Sequence, residues 1–213
     1  MKLVDKASVA QQQMRHAAKT ERKKVAVLVF PGVQIIDFTG PWEVFGQAGF
    51  EVFTVAQESG PITTTFGMSL NPDYNFNNCP KPDFILVPGG NVLKTQSDPE
   101  VKTWLHQNTE EANMVLSVCN GAFILAKSGL LEGLKATTTR SLVDGLAAAA
   151  PNIEVVRDTR FVDNGKIITS GGLSAGIDAA LHLVSKVYGR KRAERIARGL
   201  EYEWHSDGLL VEN

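Results

Sequence analysis

Cysteine and histidine are both scarce in this chain: two of the first, four of the second. Two cysteines, Cys79 and Cys119, cannot form the framework that staples a small secreted domain. None of His16, His106, His182 and His205 neighbours either cysteine in sequence, so the sequence supports no Cys–His pair. No His, Cys, Asp or Glu cluster has metal-ligand spacing, so no metal is expected. No apolar run approaches the length of a membrane span, and the N-terminus lacks a signal-peptide apolar stretch. The phosphate-cradling spacings of dinucleotide and P-loop motifs are missing, which discounts nucleotide binding. Net charge is only −1, so nothing global points to nucleic acid. The protein reads as cytoplasmic.

What is present is ordinary in amount and uneven in placement. The chain has 213 residues, enough for one well-packed domain, with 43% apolar and 21% charged residues. Residues 1–24 hold seven Lys and Arg against two acids, net +5, which leaves −6 for the rest. That segment reads as a polar basic extension, followed by one domain over residues 25–213.

From Lys24 the pattern alternates strand and helix. Apolar runs at Val25–Phe30, Phe50–Ala56, Phe84–Val87, Met114–Val118 and Ile167–Ser170 have strand length. Helices are expected at Trp42–Ala48 behind Pro41, after Asp98-Pro99, at Gly121–Ser128, Ser141–Ala150, Ser174–Tyr188 and Arg190–Gly199. Ile62–Leu70 reads as a short hairpin, and Ala136–Thr139, Ile153–Val156 and Arg160–Val162 as short strands. Asp163-Asn164-Gly165 reads as a tight turn. Apolar strands bounded by glycines and separated by helices predict an α/β fold with a mainly parallel sheet covered on both faces. Ligands gather at the carboxyl ends of such strands. The Asp37 loop, Gly89-Gly90, Cys119 and Ser170-Gly171-Gly172 all fall at strand ends.

Within MVLSVCNGAFILAKSGLL a buried strand reaches Cys119, turns through Asn120-Gly121 and enters a helix. Ser117, Gly121 and Ala122 are small, as a tight strand–turn–helix crossing requires. The helix end would lower the pKa of a thiol placed there. Cys119 is therefore read as an exposed nucleophile, against the plainer reading of a buried structural cysteine. Asp37, in VQIIDFTGPW, is either a protonated acid serving that thiol or a helix cap beside Thr39. Backbone N–H groups at Gly89, Gly90 and Asn120 are candidates to line the pocket. Cys79 lies in a polar loop and receives no role.

Four motifs in order, IIDFTGPWEVF, FILVPGG, SVCNGA and ITSGGLSAGIDAALHLV, resemble the ThiJ/PfpI superfamily, which has the class I glutamine amidotransferase-like fold. The resemblance runs from about Val25 to about Trp204 and implies a flavodoxin-like three-layer sandwich with a nucleophile elbow. The wording is most similar to the isonitrile hydratase branch. That implies Cys119 as nucleophile, Asp37 as its acidic partner, no cofactor and pairing into a homodimer. The superfamily's intracellular proteases carry His directly after the cysteine; Asn120 stands there. The hydratase branch reads T-[ST]-H-W where this chain has Thr138-Thr139-Arg140. Thr39, Thr139 and Arg140 are taken as further pocket positions. The resemblance leaves three readings: isonitrile hydration, glyoxalase-like chemistry on reactive carbonyls, and a non-enzymatic thiol redox sensor in a stress response.

Overall fold

The structure, a computed structural model, describes residues 22–211. Most of the basic extension, residues 1–21, lies outside them. Strand β1, Lys24–Leu28, starts one residue ahead of its expected position. With β2 (Glu51–Ala56), β6 (Phe84–Val87), β7 (Met114–Ser117) and β11 (Ile167–Ser170) it forms the centre of an eight-stranded sheet. The sheet order is β12-β10-β11-β7-β6-β1-β2-β5, where β5 is Tyr74–Asn75, β10 is Phe161–Asp163 and β12 is Leu209–Leu210. Every pairing is parallel except β10 with β11, which close a hairpin through the Asp163-Asn164-Gly165 turn. Val25, Ala26, Val27, Val115, Leu116 and Ile168 are fully buried, as continuous apolar runs covered on both faces require.

Helices cover the two faces. Helices α1 (Ile35–Ala48), α5 (Ser174–Tyr188) and α6 (Arg190–Gly199) pack against one another. On the other face lie α2 (Pro99–Glu111) and α3 (Gly121–Lys127), joined where His106 Nε2 contacts the Ser128 carbonyl at 2.7 Å. Asp98 caps α2, its Oδ1 accepting from the Glu100 N–H at 2.8 Å, with Pro99 in the first helical position. A small two-stranded sheet of β8 (Lys135–Ala136) and β9 (Glu154–Val155), with α4 (Val143–Ala149) beside it, packs against β10 and β11. The Ile62–Leu70 hairpin is present as β3 (Ile62–Thr63) and β4 (Ser69–Leu70), with Phe66 exposed at its tip.

One boundary departs from the sequence reading in a way that matters for the site. Helix α1 begins at Ile35, six residues before Pro41, with extended Gln34 as its cap position. Asp37 is therefore in the first helical turn, not in a loop, and caps nothing. Thr39 is also helical, and its hydroxyl donates to the Ile35 carbonyl at 2.9 Å. Pro41 sits inside the helix, where it supplies no N–H. Arg140–Leu142 forms a 3₁₀ turn, so the expected helix over Ser141–Ala150 shortens to α4.

Candidate active site

The turn after β7 is fixed from both sides. Val118 N–H donates to the Val87 carbonyl at 3.0 Å and Cys119 N–H to the Gly171 carbonyl at 3.1 Å. These bonds continue the pairing with β6 and β11 past the strand ends and force the chain to reverse at Cys119. Its φ is +57°, a left-handed conformation that a non-glycine residue adopts only where its surroundings impose it. Gly121 makes the reversal feasible, since a Cβ there would lie 2.1 Å from the Val87 carbonyl oxygen. The Thr138 hydroxyl holds the Cys119 carbonyl at 2.8 Å.

Asp37 reaches this turn from α1. It is fully buried, and its side chain interacts with the Cys119 thiol. Its two oxygens take two backbone donors: Leu173 N–H at 3.1 Å on Oδ1, and Gly89 N–H at 3.2 Å on Oδ2. Burial raises the Asp37 pKa above the ordinary 3.8 despite those donors. The Asn120 N–H and the Thr139 hydroxyl favour the ionised form of the half-buried Cys119 thiol. Burial and the Asp37 charge nevertheless push its pKa up to about 12. The sequence expectation of a lowered thiol pKa is thus reversed: desolvation and a neighbouring carboxylate outweigh a single helix end. Between the two ionisations the pair holds one proton between sulfur and carboxyl.

The expected role of Gly89 and Gly90 also changes. Gly89 N–H is spent on Asp37, and Gly90 N–H on the Asn120 carboxamide oxygen at 2.8 Å. Neither faces the pocket as a free donor. These glycines are needed for close approach instead: a Cβ on Gly89 would lie 2.2 Å from Asn120 Oδ1 and 2.9 Å from Asp37 Oδ2.

A cleft of about 600 Å³ opens near the elbow; Thr138, Thr139, Arg160, Gly171 and Gly172 line it, and neither Cys119 nor Asp37 does. Its wall at Gly172 lies next to the sulfur: a Cβ there would be 3.2 Å from Sγ and 3.0 Å from Thr139 Oγ1. Arg140 lines the outer part, 88% exposed and 3.2 Å from Asp158. Thr39 does not line it, its hydroxyl being turned to its own helix. Arg160 is held rigidly: its Nε and Nη2 both donate to the fully buried Asp178. A more apolar cavity of about 340 Å³ lies at the ends of β1 and β2, and Cys119 and Asp37 do not line it either.

Sequence reasoning missed Leu173, whose strained backbone (φ 55°, ψ −111°) turns its N–H toward Asp37. The preceding Gly171-Gly172 pair marked the loop but not that residue. It also missed Thr138 and Arg160. His182 plays no part here; its Nε2 pairs with Asp163 at 2.8 Å. Among the described residues no three His, Cys, Asp or Glu side chains are grouped to hold a metal ion, and no helix is long and apolar enough to cross a membrane.

The chain matches known proteins over this whole arrangement. It is 35% identical over 184 residues to an isonitrile hydratase from Pseudomonas putida, covering 84% of this chain and 78% of that protein. A deglycase from Thermococcus kodakarensis is 26% identical over 147 residues, covering 66% of this chain and 89% of the other. Among solved structures, a ThiJ/PfpI family protein from Pseudomonas syringae superposes with a TM-score of 0.79 at 31% identity, over 86% of this chain and 76% of that one. The DJ-1/PfpI family model matches residues 23–186, a span that holds Asp37, the Gly89-Gly90 pair, Cys119 and Leu173. With its mostly parallel sheet, elbow cysteine and matched span, this chain belongs to the DJ-1/PfpI family.

Proposed function

We propose that the protein is a cysteine hydratase that adds water to an isonitrile and releases an N-substituted formamide. The observation that carries the reading is the buried Asp37 carboxyl set against the Cys119 thiol, each perturbing the other's ionisation. The similarity to the Pseudomonas putida isonitrile hydratase supports it.

An isonitrile carbon must gain a proton and a nucleophile on the same atom. A thiol and a carboxyl sharing one proton can deliver both. In the reactive form sulfur carries the negative charge and Asp37 carries the proton. Asp37 protonates the terminal carbon as Cys119 Sγ bonds to it, giving a covalent thioimidate, R–N=CH–S–Cys. Asp37, now a carboxylate, takes a proton from water as the water oxygen adds to that carbon and passes it to the nitrogen; the hydroxyl proton returns to Asp37 on collapse. The tetrahedral adduct then expels the thiolate, leaves R–NH–CHO, and the pair regains its single proton. The steps balance with isonitrile and water alone. The Asn120 N–H and Thr139 hydroxyl solvate the thiolate as it leaves.

A second reading, attack of Cys119 on a reactive carbonyl, draws support from the similarity to the Thermococcus kodakarensis deglycase and from the polar cleft. Assaying purified protein on a small isonitrile and on methylglyoxal separates the two. The hydratase reading requires the larger kcat/KM on the isonitrile; turnover of methylglyoxal alone overturns it. Homodimerisation belongs to the same proposal. It draws on the family resemblance and on Ile36 and Leu173, exposed apolar residues, one preceding Asp37 in the chain and the other bonded to it through its N–H.

A further inference from the structure

The Asn120 side chain makes a closed two-bond contact with one peptide position. Its Oδ1 accepts from Gly90 N–H and its Nδ2 donates to the Gly90 carbonyl, each at 2.8 Å. An asparagine at the entry of a helix ordinarily caps that helix with its side chain. Here it makes no cap bond with α3 and spends both ends on the loop after β6. We infer that Asn120 is a positioning residue whose carboxamide sets the placement of the Gly89-Gly90 backbone and, through it, the hydrogen bonding of the Asp37–Cys119 pair.

The geometry links three elements at this point. Gly89 N–H donates to Asp37 Oδ2, and the Gly89 carbonyl accepts from Gln34 N–H at 2.8 Å. Gln34 immediately precedes α1, the helix that carries Asp37. Gly90 also forms an isolated bridge with Val33 and has a φ of +130°, so its peptides hold an orientation that L side chains rarely adopt. An elbow residue thus orients a loop, and the loop orients both the acid and the start of its helix. The backbone N–H of the same residue favours the ionised sulfur. Asn120 therefore registers carboxyl and thiol to each other from both sides. A histidine, which the family's proteases carry at this position, has a ring that cannot present an acceptor and a donor to one peptide position as a carboxamide does.

The prediction follows from what the clamp supports. The side-chain interactions of Asp37 run to Leu173 N–H, Gly89 N–H and Cys119; those of Cys119 run to Asp37, Asn120 N–H and Thr139. Asp37 and Cys119 are the titratable members of that set. Releasing the Gly89 N–H removes one of two backbone donors that favour the Asp37 carboxylate, so the first ionisation of the pair must move to higher pH. The inference rests on the Cys119–Asp37 pair of the proposed function, but not on its substrate.

The test is the rate of Cys119 alkylation by iodoacetamide as a function of pH, read by mass spectrometry in a Cys79→Ser background. Asn120→Ala should move the acid-side midpoint up by about half a pH unit or more. Asn120→Ser, too short to span both Gly90 groups, should do the same and serves if the alanine variant fails to fold. Ser128→Ala loses a 2.8 Å bond to the Ile124 carbonyl at the far end of α3 and reports general loosening. It should lower Tm and leave the midpoint in place. An unmoved midpoint in a folded Asn120 variant, or an equal shift in Ser128→Ala, overturns the inference. A shifted midpoint beside a failed isonitrile assay keeps the clamp and removes the hydratase reading.

Discussion

The backbone N–H of Leu173 donates to Oδ1 of Asp37 at 3.1 Å, across 136 positions of chain. With Gly89 N–H on Oδ2, both carboxyl oxygens have a fixed donor. Asparagine at position 37 has one acceptor oxygen for two donors and no acidic proton. Asp37→Asn should lower turnover at least about 100-fold, the usual worth of a positioned acid. Orphaning one N–H should cost about 1–3 kcal/mol of stability. Steady-state kinetics beside urea unfolding measures both; full activity in the folded variant would remove Asp37 from the chemistry.

The pH profile has a definite sign. Burial, the largest influence, raises Asp37 above 3.8, and it raises Cys119 to about 12. Doubly protonated, the pair offers no thiolate; with one proton it offers thiolate and acid together through its minor tautomer. The kcat/KM should therefore rise with pH through an acid limb that lies above 3.8, then stay flat well into the alkaline range. Because the folded Asp37 pKa is raised, its contribution to stability is present at low pH and lost as pH rises through that value. A profile that climbs through the ordinary thiol range near 9.0 would contradict this account.

Gly121→Ala tests the elbow. The added methyl would lie 2.1 Å from the Val87 carbonyl oxygen and 2.9 Å from that of Pro88, and both are backbone atoms. We expect a loss of about 3 kcal/mol by urea denaturation, with the elbow displaced and activity lost. A variant as stable as the parent would mean that the turn is looser than described.

Far from the thiol, Asp163 accepts from His182 at 2.8 Å, Lys186 at 2.7 Å and Gly165 N–H at 2.7 Å. Burial alone would raise its pKa, but these donors overcome it and hold the carboxyl below 3.8. A lowered folded pKa contributes stability that is present above the unfolded value and lost as pH falls through the folded one. Asp163→Asn should cost about 3 kcal/mol at neutral pH, and the gap to the parent should narrow below about pH 4. Thermal melts across that range measure it.

The sheet and the elbow were readable because their signals are local: apolar runs of strand length, and small residues around a cysteine between strand and helix. The start of α1 was not, since Pro41 imitates a first helical position while the helix already runs from Ile35. Strands β5 and β12 are two residues each and exist only through their partners. The misjudged features of the site share one cause. Which group takes the Gly89 and Gly90 N–H bonds, and whether burial or a helix end governs the thiol, depend on residues distant in sequence. Cys119 and Asp37 lie 82 positions apart, and the sequence offered the resemblance, not the contact.

The account turns on covalent attack by Cys119. Purified protein is mixed with a small isonitrile, quenched in acid within the first turnover, and its intact mass and peptides are read. An increase equal to the mass of one isonitrile, located on the Cys119 peptide, is predicted, followed by formamide release in multiple turnovers and none of either in Cys119→Ala. Formamide production by Cys119→Ala at the parent rate, or no formamide from the parent protein, would contradict it.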